Sequence, residues 1–299
     1  MILIVGASGY IGSNLYAFLK KNKFDIRASY CTNDRNLLEN EKLYLDLKNG
    51  DFSEISKLND LKHVFLCHGI SNIERCKIES DLSYTVNVAN TINFLQYLKR
   101  LDVIPIYFSS NMVYNGKKQN PTELDYPEPI TEYGKQKLIV EQYIKNTFNR
   151  YIILRLTKVF GIETGDQTLF TGWLDKLVKN EKIYAAGDIF ISPVFIMDVL
   201  KVIENLMNGN HYGIYNLGGD KTMSVYNFSK KLAEFCGGDL SLIQQVANTD
   251  FNFIEARPRY NSVDSTKVKR TTNVYMTSYE ECFRVILNNY GILKNKAGA

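Results

Sequence analysis

Short apolar runs alternate with amphipathic stretches along the first half of the chain. Residues 2–5 form an apolar, β-branched run that is typical of a buried strand, and residues 11–19 carry apolar side chains at helical spacing. Four further strand-like segments lie at residues 25–30, 62–68, 103–108 and 150–155. Strands that alternate with helices favour a parallel sheet. We therefore predict an α/β fold with a doubly wound parallel sheet, whose ligands bind at the carboxyl ends of its strands.

A glycine-rich turn connects the first predicted strand to the first predicted helix. Gly6 permits a tight turn, Gly9 lets the backbone approach a pyrophosphate, and Gly12 lets the helix pack close to the strand. The phosphates would then meet the free N–H groups at the helix N-terminus. This order of strand, glycines and helix predicts a Rossmann dinucleotide site. Its cofactor-binding residues are predicted to be Gly6, Ser8, Gly9, Tyr10, Ile11 and Gly12.

The regular alternation ends near Gly161. Helical stretches at residues 169–179 and 225–235 and short strand-like pieces at 214–217 and 240–243 follow in a less regular order. We predict a dinucleotide-binding Rossmann domain over residues 1–161, to which residues 193–207 return. Residues 162–299 are predicted to form mainly a smaller, C-terminal substrate-binding lobe that covers the carboxyl edge of the sheet.

Composition narrows the classes of partner. The 299 residues carry a formal net charge of +4, spread along the chain, which is no strong electrostatic footprint for nucleic acid. The five cysteines and three histidines show neither C-x-x-C nor metal-ligand spacing, so we expect reduced thiols and no metal. No apolar run approaches the roughly 18 residues of a membrane span. We expect a cytoplasmic protein that binds neither nucleic acid nor membrane.

Tyr133 and Lys137 form the second chemical signal. They lie four residues apart in a predicted helix, and residues at this spacing are neighbours on one helix face. A free phenol has a pKa of about 10, and a nearby positive charge favours the phenolate. We therefore expect Lys137 to lower the pKa of Tyr133, so that Tyr133 can exchange a proton with a substrate oxygen.

Several motifs in family order resemble the extended short-chain dehydrogenase/reductase superfamily, and within it the dTDP-4-dehydrorhamnose reductase branch. They lie at residues 6–12, 108–116, 133–137, 155–161, 216–219, 257–259 and 264–267. The resemblance implies that Tyr133 donates a proton and that Lys137 binds the nicotinamide ribose. It also implies that Ser110, four residues before Tyr114, polarises the substrate carbonyl; Ser109 is the alternative.

The chain departs from the branch directly after this serine. Where the family has Ser-Thr-Asp, this chain has Ser109-Ser110-Asn111, which replaces a carboxylate by an amide and puts the sugar specificity in question. Sugar-nucleotide dehydratases carry an Asp-Glu pair and GDP-fucose synthases a cysteine in this window, and Asn111-Met112 supplies neither. The predicted substrate-binding residues are Ser110, Asn111 and Arg257, which resembles an arginine that contacts the nucleotide diphosphate or sugar.

The end of the second predicted strand bears on the choice of cofactor. NAD-preferring sites place a carboxylate roughly 20 residues after the glycines, whereas residues 29–33 are neutral and Arg35 follows closely. An arginine can pair with a 2′-phosphate, so we predict NADPH, with NADH as the alternative. In that alternative, Asp34 binds the ribose. Asp46 and Leu47 resemble the family's pair beside the adenine ring, although Asp46 could equally cap a helix.

Together these features predict an NADPH-dependent reductase of a nucleotide-activated 4-keto sugar, in surface-polysaccharide biosynthesis. A nucleotide-sugar 4-epimerase that uses NAD is the second hypothesis, because it employs the same three residues. A non-catalytic regulatory subunit is the third, since relatives of this branch include one of methionine adenosyltransferase. A homodimer is expected from the resemblance.

Overall fold

The computed structural model of the chain describes residues 1–34 and 37–292. The strands are β1 (Ile2–Val5), β2 (Ile26–Tyr30), β3 (Lys42–Tyr44), β4 (His63–Leu66), β5 (Ile104–Ser110), β6 (Ile152–Leu156), β7 (Val159–Phe160), β8 (Ile183–Ala186), β9 (Phe190–Ile191), β10 (Val194–Phe195), β11 (Gly213–Leu217), β12 (Met223–Ser224), β13 (Ile243–Val246) and β14 (Tyr260–Asn261).

The α-helices are α1 (Tyr10–Lys21), α2 (Ser53–Ser56), α3 (Ile73–Ile78), α4 (Ser80–Tyr84), α5 (Asn90–Lys99), α6 (Glu132–Thr147), α7 (Leu169–Val178), α8 (Ile196–Asn208), α9 (Val225–Cys236), α10 (Thr266–Thr272) and α11 (Tyr279–Asn289). A π-helix spans Thr85–Ala89, and 3₁₀ turns span Asn111–Val113, Leu240–Leu242 and Asn248–Asp250.

A seven-stranded sheet in the order β11-β6-β5-β4-β1-β2-β3 positions the candidate site. Strand β1 pairs in parallel with both β2 and β4, so that Ile4 lies between Ala28 and Phe65. The chain moves outward from β1 to β3 and then returns to β4 on the other side, which creates a switch point between β1 and β4. All residues of β1 and β4 are buried, as expected for strands covered on both faces. The predicted α/β, doubly wound sheet is confirmed.

The described residues divide into two compact units. The first comprises Met1–Asn115, Tyr126–Arg155 and Leu206–Tyr215, and the second comprises Gly116–Asp125, Leu156–Asn205 and the residues from Asn216 onward. The first unit has a core of aliphatic and aromatic side chains from the sheet and its helices. The second has an aromatic core of its own, in which Phe170, Phe228 and Phe283 are completely buried.

These units differ in detail from the predicted domains. The boundary lies at residue 155 rather than 161, and the segment that returns to the first unit is Leu206–Tyr215 rather than residues 193–207. That one unit binds the cofactor and the other the substrate stays a prediction. The two compact units are the parts of the structure to which this prediction applies.

Two elements depart from the hydrophobic pattern. Strand β11 was expected in the C-terminal lobe, but it joins the large sheet beside β6, where Gly213 N–H donates to Tyr151 O at 2.7 Å. A short apolar run does not reveal which strand it will pair with, and that is why the pattern failed here. Residues 84–98, whose apolar side chains recur at helical spacing, contain the π-helix Thr85–Ala89, in which Asn87 is buried. The Asn87 side chain bonds both backbone groups of Ile70, at 2.7 and 2.9 Å.

In the part of the chain that the structure describes, no helix is both long and apolar enough to cross a membrane.

Gly134 provides a test of how closely α6 packs against the turn after β5. A Cβ built at Gly134 would lie 2.2 Å from the backbone oxygen of Met112, which cannot rotate away. We expect Gly134→Ala to lower the free energy of unfolding by about 1–3 kcal/mol. The control is Gly172→Ala in α7, because a Cβ there meets no atom within 4 Å and should stabilise by up to about 1 kcal/mol. The free energies of unfolding are measured by urea denaturation. Equal changes in the two variants would contradict this close packing of α6.

Candidate active site

The glycine turn is held by close backbone contacts at the carboxyl end of β1. Gly6 has a φ of +83°, a conformation that side-chain-bearing residues rarely adopt. Its N–H donates to Ser29 Oγ at 3.1 Å, and Ala7 N–H donates to Ser29 O at 2.9 Å. A Cβ at Gly12 would lie 2.3 Å from Gly6 O, so only glycine allows α1 to approach the strand this closely.

The N-terminus of α1 has the chemistry of a phosphate site. The helix begins at Tyr10, and its N-cap residue Gly9 provides no side-chain hydrogen bond. Ser8 and Gly9 are exposed, Tyr10 and Ile11 are partly buried, and a Cβ at Gly9 would make only an ordinary 3.5 Å contact with Gly6 O. A glycine at position 9 is therefore not needed for packing, and its lack of a side chain lets an anion approach the N-terminus of α1. The turn fits a dinucleotide pyrophosphate.

The predicted adenine end is only partly described. Arg35 lies outside the described residues. Asp34, the alternative ribose ligand, forms a salt bridge with Lys42 at 2.8 Å. Asp46 caps no helix; its carboxylate accepts the Lys48 N–H at 2.9 Å. Burial raises the pKa of the Cys31 thiol, and the charge of Asp46 raises it further. Because Cys31 directly follows β2, the Asp46 carboxylate lies near the end of that strand.

Leu47, the other predicted adenine contact, is partly buried and packs against the core of the first unit. Asp46 and Leu47 thus follow β3 and lie on the same side of β1 as β2, as a cofactor that extends from the glycine turn towards β2 would require. Their contact with the adenine stays a prediction.

Ser110, Tyr133 and Lys137 come together in the first unit. Ser110 ends β5, and Thr131 caps α6 through a 3.1 Å bond from Gly134 N–H, which fixes the helix start just before Tyr133. Ser110 lowers the pKa of Tyr133, so the two side chains are close neighbours. The Lys137 ammonium donates to Phe108 O at 2.8 Å and lies 5.7 Å from the centre of the Tyr133 ring.

Burial changes the acidity of both helix residues. It raises the pKa of Tyr133 well above its ordinary value, and the hydrogen bond with Ser110 opposes this only in part. In the protein without its ligands the pKa of Tyr133 is therefore raised overall, because burial of the phenol dominates, and the lowering effect expected of Lys137 stays a prediction. Burial also lowers the pKa of Lys137, to about 8. At neutral pH the site holds a neutral phenol beside an ammonium group.

The two serines at the end of β5 have different partners. The Ser109 hydroxyl donates to the buried carboxylate of Glu141. The Ser110 hydroxyl accepts the Met112 N–H at 3.2 Å and lies close to Tyr133. The proximity of Ser110 to Tyr133 favours it over Ser109 as the hydroxyl of the site. Asn111 is buried beside it, with its amide oxygen 3.5 Å from Ser110 Oγ.

Three further residues were missed from the sequence: Glu141, Arg155 and Tyr114. Arg155 binds Glu141 through Nε and Nη2 and donates from Nη1 to the Tyr114 hydroxyl at 2.8 Å. Glu141 and Arg155 have side chains only 2% and 4% exposed. The available signal was an arginine within the apolar run of β6, since a buried charge requires a partner.

His68 contributes an acceptor beside the glycine turn. Its backbone N would lie 2.9 Å from a Cβ at Gly6. Its Nε2 is 2.8 Å from Thr91 Oγ1, whereas Nδ1 is buried with no hydrogen-bond partner among the described residues. Burial, and then the charge of Lys137, lower the pKa of His68 to about 3, so the ring is neutral. The unpartnered His68 Nδ1 is thus a buried acceptor near both the glycine turn and Lys137. Such an acceptor fits a site in which a bound polar ligand supplies the missing hydrogen bond.

Arg257 lies in the second unit. Its guanidinium is 4.4 Å from the centre of the Phe253 ring. Burial lowers the pKa of Lys158 and the charge of Arg257 lowers it further, so the two cations are close neighbours. Two adjacent cations are suited to an anionic group such as a diphosphate.

The fold and these residues define a Rossmann-type protein with the Ser, Tyr and Lys of a short-chain dehydrogenase/reductase. The chain belongs to the RmlD substrate binding domain family, which it matches over residues 1–292. This confirms the superfamily and branch that the motifs indicated.

Individual relatives are distant. A Methanocaldococcus jannaschii protein, whose name assigns it provisionally as a UDP-glucose 4-epimerase, is 29% identical over 75% of this chain and 79% of its own. The dTDP-4-dehydrorhamnose reductase of Aggregatibacter actinomycetemcomitans is 23% identical over 95% of this chain and 97% of its own. The crystal structure of dTDP-4-dehydrorhamnose reductase from Bacillus anthracis in complex with NADP has a TM-score of 0.83, 23% identity, and coverage of 96% of this chain and 98% of that one.

The protonation state of Lys137 can be measured directly. Because burial disfavours the ammonium, its pKa should be about 8, so the charge is present below that pH and lost above it. NMR titration of protein labelled at lysine Cε should show one lysine with this midpoint, and Lys137→Met should remove that signal. Lys135→Met, which changes an exposed lysine two residues away on the same helix, is the control. A Lys137 signal that titrates only near 10.5 would show that the ammonium is well solvated.

Proposed function

We propose that the protein is an NADPH-dependent reductase of a nucleotide-activated 4-keto sugar. The observation that carries the proposal is the placement of Ser110 close to Tyr133, with Lys137 one helical turn from Tyr133 and bonded to Phe108 O at 2.8 Å, in a fold whose glycine turn fits a dinucleotide. Membership of the RmlD substrate binding domain family supports the substrate class.

The cofactor would be held by the first unit. The N–H groups at the start of α1, after Gly6, Ser8 and Gly9, would bind the pyrophosphate. The Lys137 ammonium would donate to the nicotinamide ribose, as the resemblance implies. When bound, a reduced nicotinamide supplies the hydride that the keto carbon receives. The preference for NADPH rests on Arg35 and on the neutral side chains of residues 29–33; the Bacillus anthracis structure, which contains NADP, supports it.

Tyr133 would supply the proton that completes the reduction. A ketone that accepts a hydride at carbon develops negative charge on its oxygen, and the alcohol forms when that oxygen takes a proton. Since burial keeps the Tyr133 phenol protonated at neutral pH, its proton is available for this transfer. The Ser110 hydroxyl would donate a hydrogen bond to the same oxygen and stabilise the developing charge.

The remaining predicted contacts concern substrate binding. Asn111 lies beside Ser110 and has a neutral amide, so it can orient a sugar hydroxyl but cannot act as an acid or a base. Arg257, with Lys158 near it, would bind the diphosphate of the nucleotide. Surface-polysaccharide biosynthesis and a homodimer are further parts of the proposal, inferred from the resemblance. A cytoplasmic location is also proposed, inferred from the composition of the chain.

A 4-epimerase is the second candidate, and the name of the Methanocaldococcus jannaschii relative favours it. An epimerase begins by oxidising its substrate and retains its nicotinamide through the cycle. NAD that co-purifies with the protein would therefore favour the epimerase. An empty protein that binds NADPH more tightly than NADH would favour the reductase, and a partner recovered in stoichiometric yield would favour the regulatory subunit.

A substrate panel tests the proposed reaction. Purified protein, freed of bound nucleotide, is mixed with 4-keto sugars carrying dTDP, UDP or GDP, and NADPH or NADH oxidation is followed at 340 nm. We expect at least one 4-keto sugar to be reduced, with NADPH the better donor. Isomerisation of a UDP-sugar with catalytic NAD and no net oxidation would instead identify the epimerase. If neither reaction occurs with any sugar of the panel, the proposal is wrong.

Variants of the site test the assigned roles. Tyr133→Phe removes the proton donor and should lower kcat by about 10²–10⁴-fold, and Ser110→Ala should lower it by about 10²-fold. Arg257→Ala should raise KM for the nucleotide sugar more than it lowers kcat, because it acts in binding. Lys135→Met, on the exposed side of α6, is the control and should leave kcat and KM unchanged. Full activity of Tyr133→Phe would rule out its role as the acid.

A further inference from the structure

The segment from Ser109 to Tyr114 carries two of the site residues, Ser110 and Asn111. It leaves β5 and forms the 3₁₀ turn Asn111–Val113, in which the Ser110 hydroxyl accepts the Met112 N–H at 3.2 Å. That turn is too short to fix its own position, since a single 3₁₀ turn contributes few hydrogen bonds. The contacts at its two ends therefore decide where the Ser110 hydroxyl lies.

Each end is bonded to one member of the same buried ion pair. At the first end, the Ser109 hydroxyl donates to Glu141 Oε1. At the other end, Arg155 Nη1 donates to the Tyr114 hydroxyl at 2.8 Å, and the guanidinium carbon lies 5.1 Å from the centre of the Tyr114 ring.

The ion pair itself is rigid. Arg155 Nε lies 3.0 and 3.1 Å from the two Glu141 oxygens, and Nη2 lies 2.6 Å from Oε2. This two-point geometry fixes the orientation of both groups, and the near-complete burial of both side chains removes competing water. Glu141 is on α6, one turn after Lys137, and Arg155 is on β6, so the pair joins the helix that carries Tyr133 to the sheet.

We propose that Ser109, Glu141, Arg155 and Tyr114 form a positioning clamp that holds the Ser110 hydroxyl in place beside Tyr133. The clamp residues touch neither the reacting oxygen nor the hydride; they act by fixing both ends of the segment between them. This inference rests on the proposed function for its kinetic consequences, and it extends the site beyond the three residues that the family motifs identify.

The clamp predicts a particular kinetic effect of Tyr114→Phe. This change removes one hydroxyl, leaves the ring, and preserves the Glu141–Arg155 pair, so the protein should fold. A displaced Ser110 hydroxyl would lower kcat by about tenfold or more while KM changes little, because positioning matters most in the transition state. Tyr215→Phe is the matched control: Tyr215 is similarly buried in the first unit, at 3% exposure against 5% for Tyr114, and its hydroxyl donates to Tyr212 O. It should leave kcat unchanged.

A double-mutant cycle separates positioning from general destabilisation. If Tyr114 acts through Ser110, Tyr114→Phe should lower kcat about tenfold in the wild-type background but less than about twofold in the Ser110→Ala background. Equal effects in both backgrounds would overturn the proposal, because they would show that the Tyr114 hydroxyl acts independently of Ser110. An unchanged kcat in Tyr114→Phe would overturn it as well.

Crystal structures of the variants test the clamp independently of activity. They apply even if no keto sugar is reduced and the proposed function is wrong. In Tyr114→Phe the Ser110 hydroxyl should move away from Tyr133, and the bond from Met112 N–H, 3.2 Å in the intact protein, should lengthen or break. Tyr215→Phe should leave both contacts unchanged. An unmoved Ser110 in the Tyr114→Phe structure would overturn the clamp, whatever reaction the protein catalyses.

Discussion

The candidate site depends on an ammonium group buried between a helix and a strand. Lys137 is 9% exposed, donates to Phe108 O at 2.8 Å, and lies 4.7 Å from the centre of the Tyr107 ring. A charge removed from water must find such partners, and few side-chain conformations provide them. The contact therefore fixes α6 against β5. Tyr133 lies one turn before Lys137, and Ser110 two residues after Phe108, so this interaction brings the two chain segments that carry them together.

The face of α6 that packs on the sheet presents a polar or charged side chain at each helical turn. Tyr133, Lys137 and Glu141 follow one another at four-residue spacing, and each bonds a different atom or residue near the end of β5. Gly134 adds a close approach to Met112 on the same helix. A helix fixed at four successive points has little freedom to rotate or slide, and this is what a site of hydrogen-bond precision requires.

Much of this arrangement could be predicted from the sequence, because its signals are local. The glycine turn follows an apolar strand within twelve residues, and the Tyr-Lys spacing is a property of one helix. The pairing of Glu141 with Arg155 could not be found in this way, since it depends on which strand lies beside α6. The position of β11 in the large sheet could not be predicted for the same reason. The pKa of Tyr133 could not be predicted either. The sequence pattern identifies the charged neighbour, Lys137, but not how deeply the Tyr133 phenol is buried, and that burial decides whether its pKa rises or falls.

That sign bears on the protonation state in which the site begins a reaction. A phenol whose pKa is raised holds its proton firmly at neutral pH, and beside it an ammonium with a pKa of about 8 also remains protonated. The protonated phenol is the form from which a reduction starts, and its release of the proton depends on the stronger basicity of the oxygen that has received the hydride. Oxidation, the first half of an epimerase cycle, would need Tyr133 to accept a proton, so a positive charge would have to stabilise the phenolate more than burial destabilises it. The protein without its ligands therefore holds Tyr133 in the protonation state that a reduction requires at its start.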